Sequence, residues 1–433
     1  MNLHEQIEAV ILSNLQKPQA CLIGVEVECI IYNREGLRIP VNPGHNFSAS
    51  DILAELNVWQ NANGQNISYS LEPGGQVEFA SRPYCTLNEI DAQFNRHLQQ
   101  LQGICRREGL RPLDYALDPL YRPEQVELIN QTKYQLMHER FARTGDHGHW
   151  MMRNTASVQV NIDIGSRRVA EEMAFIADCL EPVAALLFAN APFCRGALSG
   201  RRNYRYHIWD DTDPARCGNL LDHGILGPEG LLEKYIDWVL TVPLMFASMP
   251  DGSIASYEGP AGKWLNSIAT DGEVTAEQVQ MVLHQIFTHV RFKHVLEVRG
   301  ADRPPRGYEM APPAFWLGLL AAPRARARAL AIVSAWSIDQ RRQLGQLAAE
   351  LAIGAKLIDG GRFDDLIGQI CDLSLAGLAE RAEVCCHQCE RHYLEQYLKR
   401  FSQVGPPALA TQRHFSDRGL SVPEFINREG GKW

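Results

Sequence analysis

Five segments of the chain alternate apolar and polar residues with the period of a β-strand. These segments are residues 22–32, 67–71, 76–80, 155–164 and 292–299. Because the side chains of a strand point alternately to its two faces, each segment has one apolar and one polar face. On the whole the segments lie too far apart for simple hairpins, and they do not alternate regularly with helices. The pattern therefore predicts an α+β fold with a largely antiparallel sheet.

Helical periodicity accounts for most of the remaining chain. In the first three quarters it marks residues 86–109, 168–190 and 229–247, and afterwards it dominates. We predict an α+β catalytic body over residues 1–311 and a helical C-terminal segment over residues 312–433, packed together as one compact unit. The prolines in the tail beyond residue 403 predict irregular structure there.

The polar faces of the strand segments carry carboxylates, amides and arginines, whereas a solvated face typically carries Thr, Lys and Ser. The main residues are Glu26, Glu28, Gln76, Glu78, Ser157, Gln159, Asn161, Asp163, Arg291, Lys293, Glu297 and Arg299. Neighbouring carboxylates such as Glu26 and Glu28 repel each other and resist desolvation, so their place on one strand face needs a cause. A face that meets solvent is one interpretation, and a functional site is the other.

Hard cations would explain this arrangement. Mg²⁺ takes oxygen ligands and uses only one or two protein carboxylates per ion, completing its shell with water and phosphate oxygens. The strand glutamates could hold two or three such ions, and a turn at residues 73–75 would bring Glu72 and Glu78 to the same place. The cationic residues of the fifth segment would then face phosphates. Metal, phosphate and arginine on one sheet indicate nucleotide-dependent group transfer.

Composition and missing motifs narrow the function further. The sequence has no G-x-x-x-x-G-K-[ST] and no G-x-G-x-x-G following a strand. The net charge of −9 disfavours a nucleic-acid-binding surface. The N-terminal residues lack the features of a signal peptide, and the apolar stretches are too short to cross a membrane. Eleven scattered cysteines indicate reduced thiols and therefore predict a cytoplasmic location. As separate expectations, the protein has small-molecule partners and is a monomer or homodimer.

Seven segments occur in the order seen in glutamate–cysteine ligases. They read "IGVEVECII", "YSLEPGGQVEFAS", "MMRNTASVQVNIDIG", "FANAPF", "RYHIWDDTDPARCG", "YIDWVLTVPLMF" and "LEVRGAD", and they cover about residues 20–320. The chain thus resembles the plant and proteobacterial branch of that family and the actinobacterial ligase that serves ergothioneine synthesis. The resemblance implies a glutamine-synthetase-like antiparallel sheet, curved into a funnel, with helices outside.

The resemblance also implies a reaction. ATP would phosphorylate the γ-carboxylate of glutamate, and the amine of cysteine would attack the acyl phosphate, the first step of glutathione-type thiol synthesis. Two or three Mg²⁺ ions would assist. The family's metal-binding glutamates match Glu26, Glu28, Glu78 and Glu297, with Glu72 as a further ligand. Arg299, beside Glu297, would stabilise the transferred phosphoryl group, and Arg291 and Lys293 would contact the nucleotide.

The residues expected to contact glutamate and the amine acceptor match the family less closely. Arg205 matches an arginine that would bind the glutamate α-carboxylate, and Asn161 would contact glutamate or phosphate. Gln159 stands where some branches have a metal-binding histidine. The stretches "YRYHIW" and "RTGDHGHWMMR" depart from the family pattern. They leave open a γ-glutamyl ligase with a different amine acceptor, and a catalytically silent relative acting as a binding protein is a third interpretation.

Three further features allow a structural interpretation as well as a functional one. Arg205 could pair with an aspartate of the "WDDTDP" loop instead of a substrate. His147 and His149 could bind a metal or lie at the surface. The "CCHQC" stretch, residues 385–389, could act as a redox switch or consist of small residues in a packed helix.

Overall fold

The computed structural model of the protein describes residues 1–249, 251–270 and 272–429. Its strands are β1 Ile23–Asn33, β2 Ser68–Leu71, β3 Val77–Ala80, β4 Leu110–Leu113, β5 Val158–Ile162, β6 Phe193–Cys194, β7 Ala197–Leu198, β8 Cys217–Gly218, β9 Phe246–Ser248, β10 Ile254–Ser256, β11 Phe287–Thr288, β12 Val290–Phe292 and β13 Leu296–Val298. Seven of these strands form one sheet in the order β12-β13-β5-β1-β3-β2, with β4 paired to the far end of β1. All pairings in this sheet are antiparallel, which confirms the predicted fold class.

Helices surround this sheet. They are α1 Leu3–Ile11, α2 Ala49–Ala62, α3 Leu87–Glu108, α4 Thr132–Phe141, α5 Gly148–Asn154, α6 Arg167–Phe188, α7 Tyr204–Asp210, α8 Leu231–Thr241, α9 Ala261–Ile268, α10 Ala276–Leu283, α11 Ala311–Leu320, α12 Pro323–Ser334, α13 Ile338–Ala349, α14 Phe363–Cys385, α15 Arg391–Val404, α16 Pro407–Ser416 and α17 Val422–Glu429. No helix among the described residues is long and apolar enough to cross a lipid bilayer. From Ala311 onward every regular element described is a helix, and the division of the chain at that point stays a prediction.

The central strand β1 separates the core from the polar face of the sheet. Val25 and Val27 are buried in the main hydrophobic core, as are Val158 and Val160 of the neighbouring strand β5. Helix α6 belongs to the same core, and its residues from Met173 to Phe188 are buried on every side. Apart from Asp178 and Glu181 this stretch is apolar, which is typical of a helix in a protein interior. The opposite, polar face of β1 is thereby directed away from the core.

Strand register brings the glutamates together. In the pairing of β1 with β3, Glu28 lies directly opposite Glu78. On the other side of β1, Glu26 lies opposite Gln159 of β5. Directly opposed residues of an antiparallel pair have their Cβ atoms about 4.5–5.5 Å apart, so their side chains share one small region.

Three sequence predictions of local structure are wrong. The segment 292–299 is not one strand but the hairpin β12–β13, in which the Lys293 N–H donates to the Val295 carbonyl at 2.9 Å. The predicted helix 229–247 ends at Thr241, because Pro243 favours an extended residue before it. The tail is helical, since Pro407 occupies the first turn of α16, where a missing N–H costs little.

Candidate active site

A pocket of about 390 Å³ opens over the polar face of the sheet. Nine of the eleven predicted site residues line it: Glu26, Glu28, Glu72, Glu78, Gln159, Arg205, Arg291, Lys293 and Arg299. The other two, Asn161 and Glu297, are cross-strand partners in β5 and β13 beside it. Glu28 and Gln159 are only 6% and 5% exposed, so this part of the polar face does not meet bulk solvent.

Three glutamates form an acidic cluster at one side of the pocket. Carboxylate oxygens of Glu28, Glu72 and Glu78 all lie within 4.8 Å of one another. The turn between β2 and β3 delivers Glu72, as the sequence predicts. Its Gly74 packs so closely on Arg153 that an added Cβ would lie 2.3 Å from the Arg153 carbonyl oxygen. A side chain at this position would therefore displace the turn and Glu72 with it.

Neighbouring side chains hold the carboxylates in place. Glu28 accepts hydrogen bonds from the backbone N–H of Ser157 at 2.8 Å, from its hydroxyl at 2.9 Å, and from the Gln159 amide at 2.9 Å. Ser70 donates to Glu78 at 2.6 Å, and Asn161 donates to Glu26 at 2.9 Å. In this structure Gln159 and Asn161 thus orient glutamates, a role that the sequence analysis did not foresee.

The cluster carries more negative charge than its surroundings compensate. Burial, followed by the repulsion of Glu28, raises the pKa of Glu72 to about 7. Burial and the neighbouring glutamates, Glu26 first, raise the pKa of Glu78 well above its usual range. Burial likewise raises the pKa of Glu28. Hard oxygen donors crowded in this way are suited to Mg²⁺, whose charge would offset their repulsion.

These raised pKa values predict how stability depends on pH. A carboxyl group whose pKa is raised by folding stabilises the fold fully below its ordinary pKa of 4.5, and this contribution is lost as the pH rises through about 7. A tenfold difference in proton affinity between the folded and unfolded states corresponds to about 1.4 kcal/mol. We therefore expect the melting temperature in EDTA to fall between pH 4.5 and 7.5, and saturating Mg²⁺ to reduce that fall. Thermal melts across this range test it, and identical profiles with and without Mg²⁺ would contradict the metal assignment.

The other side of the pocket is cationic and is organised by one fully buried carboxylate, Glu297. It contacts Lys293 and Arg299 closely, and Arg291 binds it through Nε at 3.1 Å and Nη2 at 3.0 Å. Burial acts to raise the pKa of Glu297, but Arg291, Lys293 and Arg299 hold it well below its usual range. In this structure Glu297 therefore binds three cationic side chains and lies outside the acidic cluster. The family resemblance, by contrast, implies that Glu297 is a metal ligand.

Arg299 connects the two sides of the pocket. Its Nη1 donates to Gln159 Oε1 at 2.6 Å, and the amide of the same glutamine donates to Glu28. The Arg299 guanidinium also lies 5.8 Å from the ring centroid of Trp209 and 5.9 Å from that of Phe287. These contacts fix the position of one cation directly beside the acidic cluster.

Arg205 of α7 lies deeper in the wall. It donates to the carbonyl oxygens of Gly300 and Arg299, each at 3.0 Å, and lies 3.8 Å from Asp302. It is 3% exposed, and its Nε finds no hydrogen-bond acceptor among the described residues. Pairing with the "WDDTDP" loop is not what the structure shows, since Asp213 of that loop binds Arg216 and Arg140.

An apolar wall completes the pocket, and sequence reasoning missed it. It consists of Tyr134, Met137, Met151, Met245 and Phe246, all of which line the pocket and belong to one hydrophobic cluster. Helix α4, which supplies two of them, also places Lys133 at the pocket. Met151, Met245 and Phe246 lie in segments that carry the family resemblance, but no spacing or periodicity in the sequence indicates that they form one surface with Tyr134 and Met137.

The remaining sequence candidates lie elsewhere. His147 Nδ1 forms a hydrogen bond with Asp211 Oδ2 at 2.8 Å, whereas the ring of His149 stacks on that of His138 with centroids 4.0 Å apart. The two histidines therefore contact different partners. The "CCHQC" stretch is not a continuous helix, because α14 ends there and Cys386 adopts a left-handed conformation. All eleven cysteines are free thiols.

Comparison with known proteins points to one family. Residues 22–375 match glutamate–cysteine ligase family 2. The chain is 30% identical over 392 residues to glutamate–cysteine ligase A, chloroplastic, of Oryza sativa subsp. indica, covering 87% of this chain and 78% of the rice protein. That location belongs to the rice protein, and a cytoplasmic location for this chain stays a prediction.

Two solved structures share the fold at 12% sequence identity. The glutamate–cysteine ligase of Francisella tularensis, solved in complex with AMP, has a TM-score of 0.57, with 96% of this chain and 88% of that chain covered. The bifunctional glutathione synthetase of Pasteurella multocida has a TM-score of 0.55. There 98% of this chain is covered, but it spans only 53% of the Pasteurella chain.

Proposed function

Because the chain belongs to glutamate–cysteine ligase family 2 and is an enzyme of that type, we propose that it uses ATP to join the γ-carboxylate of glutamate to the amine of cysteine. One observation carries the proposal. A cluster of glutamates suited to Mg²⁺ and a fixed arginine lie side by side in a single pocket. Phosphoryl transfer requires positioning and charge neutralisation more than covalent help from the protein, and this pocket supplies both.

In this proposal the acidic cluster holds the metal. Glu28, Glu72 and Glu78 are the ligands, with Glu26 beside them, and two or three ions remain the expected number. Bound Mg²⁺ would neutralise phosphate oxygens of ATP. Gln159 and Ser157 keep Glu28 oriented through their hydrogen bonds, so its carboxylate is in position before a substrate arrives.

In this proposal the cationic side of the pocket binds the phosphates and the glutamate substrate. Arg299 stabilises charge on the transferred phosphoryl group, while Arg291 and Lys293 provide positive potential on the nucleotide side. Arg205 would contact the glutamate α-carboxylate, which its unpartnered, buried Nε supports. The γ-carboxylate of glutamate attacks the terminal phosphorus of ATP, the bond from that phosphorus to the bridging oxygen breaks, and ADP leaves with the electron pair. The acceptor nitrogen then attacks the carbonyl carbon of the resulting γ-glutamyl phosphate and gives up a proton to solvent. The carbon–oxygen bond to phosphate breaks, and phosphate leaves with the electron pair.

Phosphate release from ATP tests the proposal. With Mg²⁺, glutamate and cysteine, we expect one phosphate and one γ-glutamylcysteine for each ATP consumed, and at least about tenfold less turnover when glutamate, cysteine or Mg²⁺ is omitted. A panel of other amines at equal concentration decides between cysteine and a different acceptor. Absence of ATP turnover with every amine, together with Mg²⁺-independent melting, would support the alternative of a binding protein.

A further inference from the structure

Lys133 differs from the other cations of the pocket. Arg291, Lys293 and Arg299 all bind Glu297, and Arg205 lies near Asp302. Among the described residues, no carboxylate lies within ion-pair distance of the Lys133 ammonium. Its neighbour is the ring of Tyr134, with the ammonium 4.4 Å from the ring centroid. A cation that lines a pocket without an anionic partner is available to an anionic group of a ligand.

The surroundings of Lys133 indicate the rest of that ligand. On one side lies the apolar wall, in which Met137, Met151 and Met245 supply adaptable thioether side chains. On another side lies the acidic cluster, whose Glu72 lines the same pocket as Lys133. The three environments are thus positive, apolar and negative, and all three border one pocket.

A small zwitterionic amino acid has the matching three groups. We propose that Lys133 and the apolar wall form the binding site of the amine acceptor, with the α-carboxylate on Lys133 and a short uncharged side chain on the methionines. The acceptor's amine then points towards the acidic cluster, where the γ-carboxylate of glutamate is activated. This inference rests on the proposed function and assigns recognition of the acceptor's α-carboxylate to Lys133, so that amines lacking the carboxylate are poor substrates.

Paired substrates test the role of Lys133 directly. Each amino acid is compared with its decarboxylated counterpart: cysteine with cysteamine, alanine with ethylamine, and serine with ethanolamine, at saturating ATP, glutamate and Mg²⁺. For the wild type we expect kcat/KM of the best acid to exceed that of its amine at least tenfold. In Lys133→Met we expect KM for the acid to rise about tenfold, which corresponds to about 1.4 kcal/mol, and KM for the amine to stay within twofold.

Controls separate this role from folding and from nucleotide binding. Lys399→Met, an exposed lysine on α15, should match the wild type. Lys133→Arg keeps the charge and should retain most of the preference for the acid, which a loss of fold would not allow. An equal effect of Lys133→Met on acid and amine, or a rise in KM for ATP or glutamate, would overturn the inference. A wild-type enzyme that prefers the decarboxylated amines to the amino acids would also overturn the inference, whatever the variants show.

The outcomes also distinguish the inference from the function on which it rests. If the wild type turns over no amine in the panel, the proposed ligase function fails. If the wild type ligates one of the amino acids but Lys133→Met behaves like the wild type, the ligase function stands and only the acceptor site is wrong.

Discussion

Replacing Glu78 by glutamine is expected to abolish turnover and to raise the melting temperature of the metal-free protein. The amide removes one charge from a cluster in which burial and repulsion already raise the pKa of Glu78. Its oxygen can still accept the hydrogen bond from Ser70, so the local structure is kept. Loss of an ionic Mg²⁺ ligand should lower kcat by about 100-fold or more, because charge stabilisation is the main contribution to phosphoryl transfer.

Phosphate release and thermal melts in EDTA and in Mg²⁺ measure both effects. Glu35→Gln, an exposed residue just after β1, is the matched control and should leave activity and melting unchanged. Near-normal turnover of Glu78→Gln at low Mg²⁺ would remove Glu78 from the metal site. A lower melting temperature in EDTA would show that groups outside the acidic cluster compensate its charge.

Glu297→Gln should have the opposite effect on stability, although the family resemblance assigns both glutamates to metal. Without its charge, Arg291, Lys293 and Arg299 would face one another in a buried site. Removing one partner of a buried ion pair typically costs about 3–5 kcal/mol, and we expect a loss of that size in the free energy of unfolding. Because the pKa of Glu297 is lowered, its stabilising effect is present above pH 4.5 and disappears on acidification.

Chemical denaturation at pH 7 measures this loss of stability. Turnover should fall as well, because Arg299 loses the ion pair with Glu297 that fixes its position. The double variant Glu297→Gln/Lys293→Met removes one of the three cations and should recover part of the stability. The double variant tests charge balance by itself, because its two substitutions remove one negative and one positive charge and leave the net charge of the site unchanged. Unchanged stability of Glu297→Gln combined with weaker Mg²⁺ binding would instead establish Glu297 as a metal ligand.

The acidic cluster could be predicted because its signal is local. Alternation along β1 and β3 fixes which side chains share a face, and the glycine-rich turn fixes where Glu72 lies. The hydrogen bonds that link Arg299 to Gln159 and Gln159 to Glu28 could not be predicted, because they depend on strand register between distant parts of the chain.

Two other parts of the site could not be located from the pattern of apolar and polar residues. The turn at residues 293–295 contains no Gly, Pro, Asn or Asp, so the pattern across the hairpin β12–β13 predicts a single strand. The apolar wall and Lys133 come from segments whose helical or strand patterns are like those of any packed element. Only the fold brings them to the glutamates.

The strand order has an electrostatic consequence for a molecule entering the pocket. Acidic side chains project from β1 and β3, whereas the basic ones are Arg291 of β12, Lys293 in the hairpin turn and Arg299 just after β13, with the amide-bearing strand β5 between the two groups. Opposite charges on the two halves of one sheet create an electric field that runs across the strands, and a pocket with low-dielectric walls concentrates it. A dipolar or multiply charged ligand would experience a torque in this field and would rotate towards its bound orientation before it makes any direct contact.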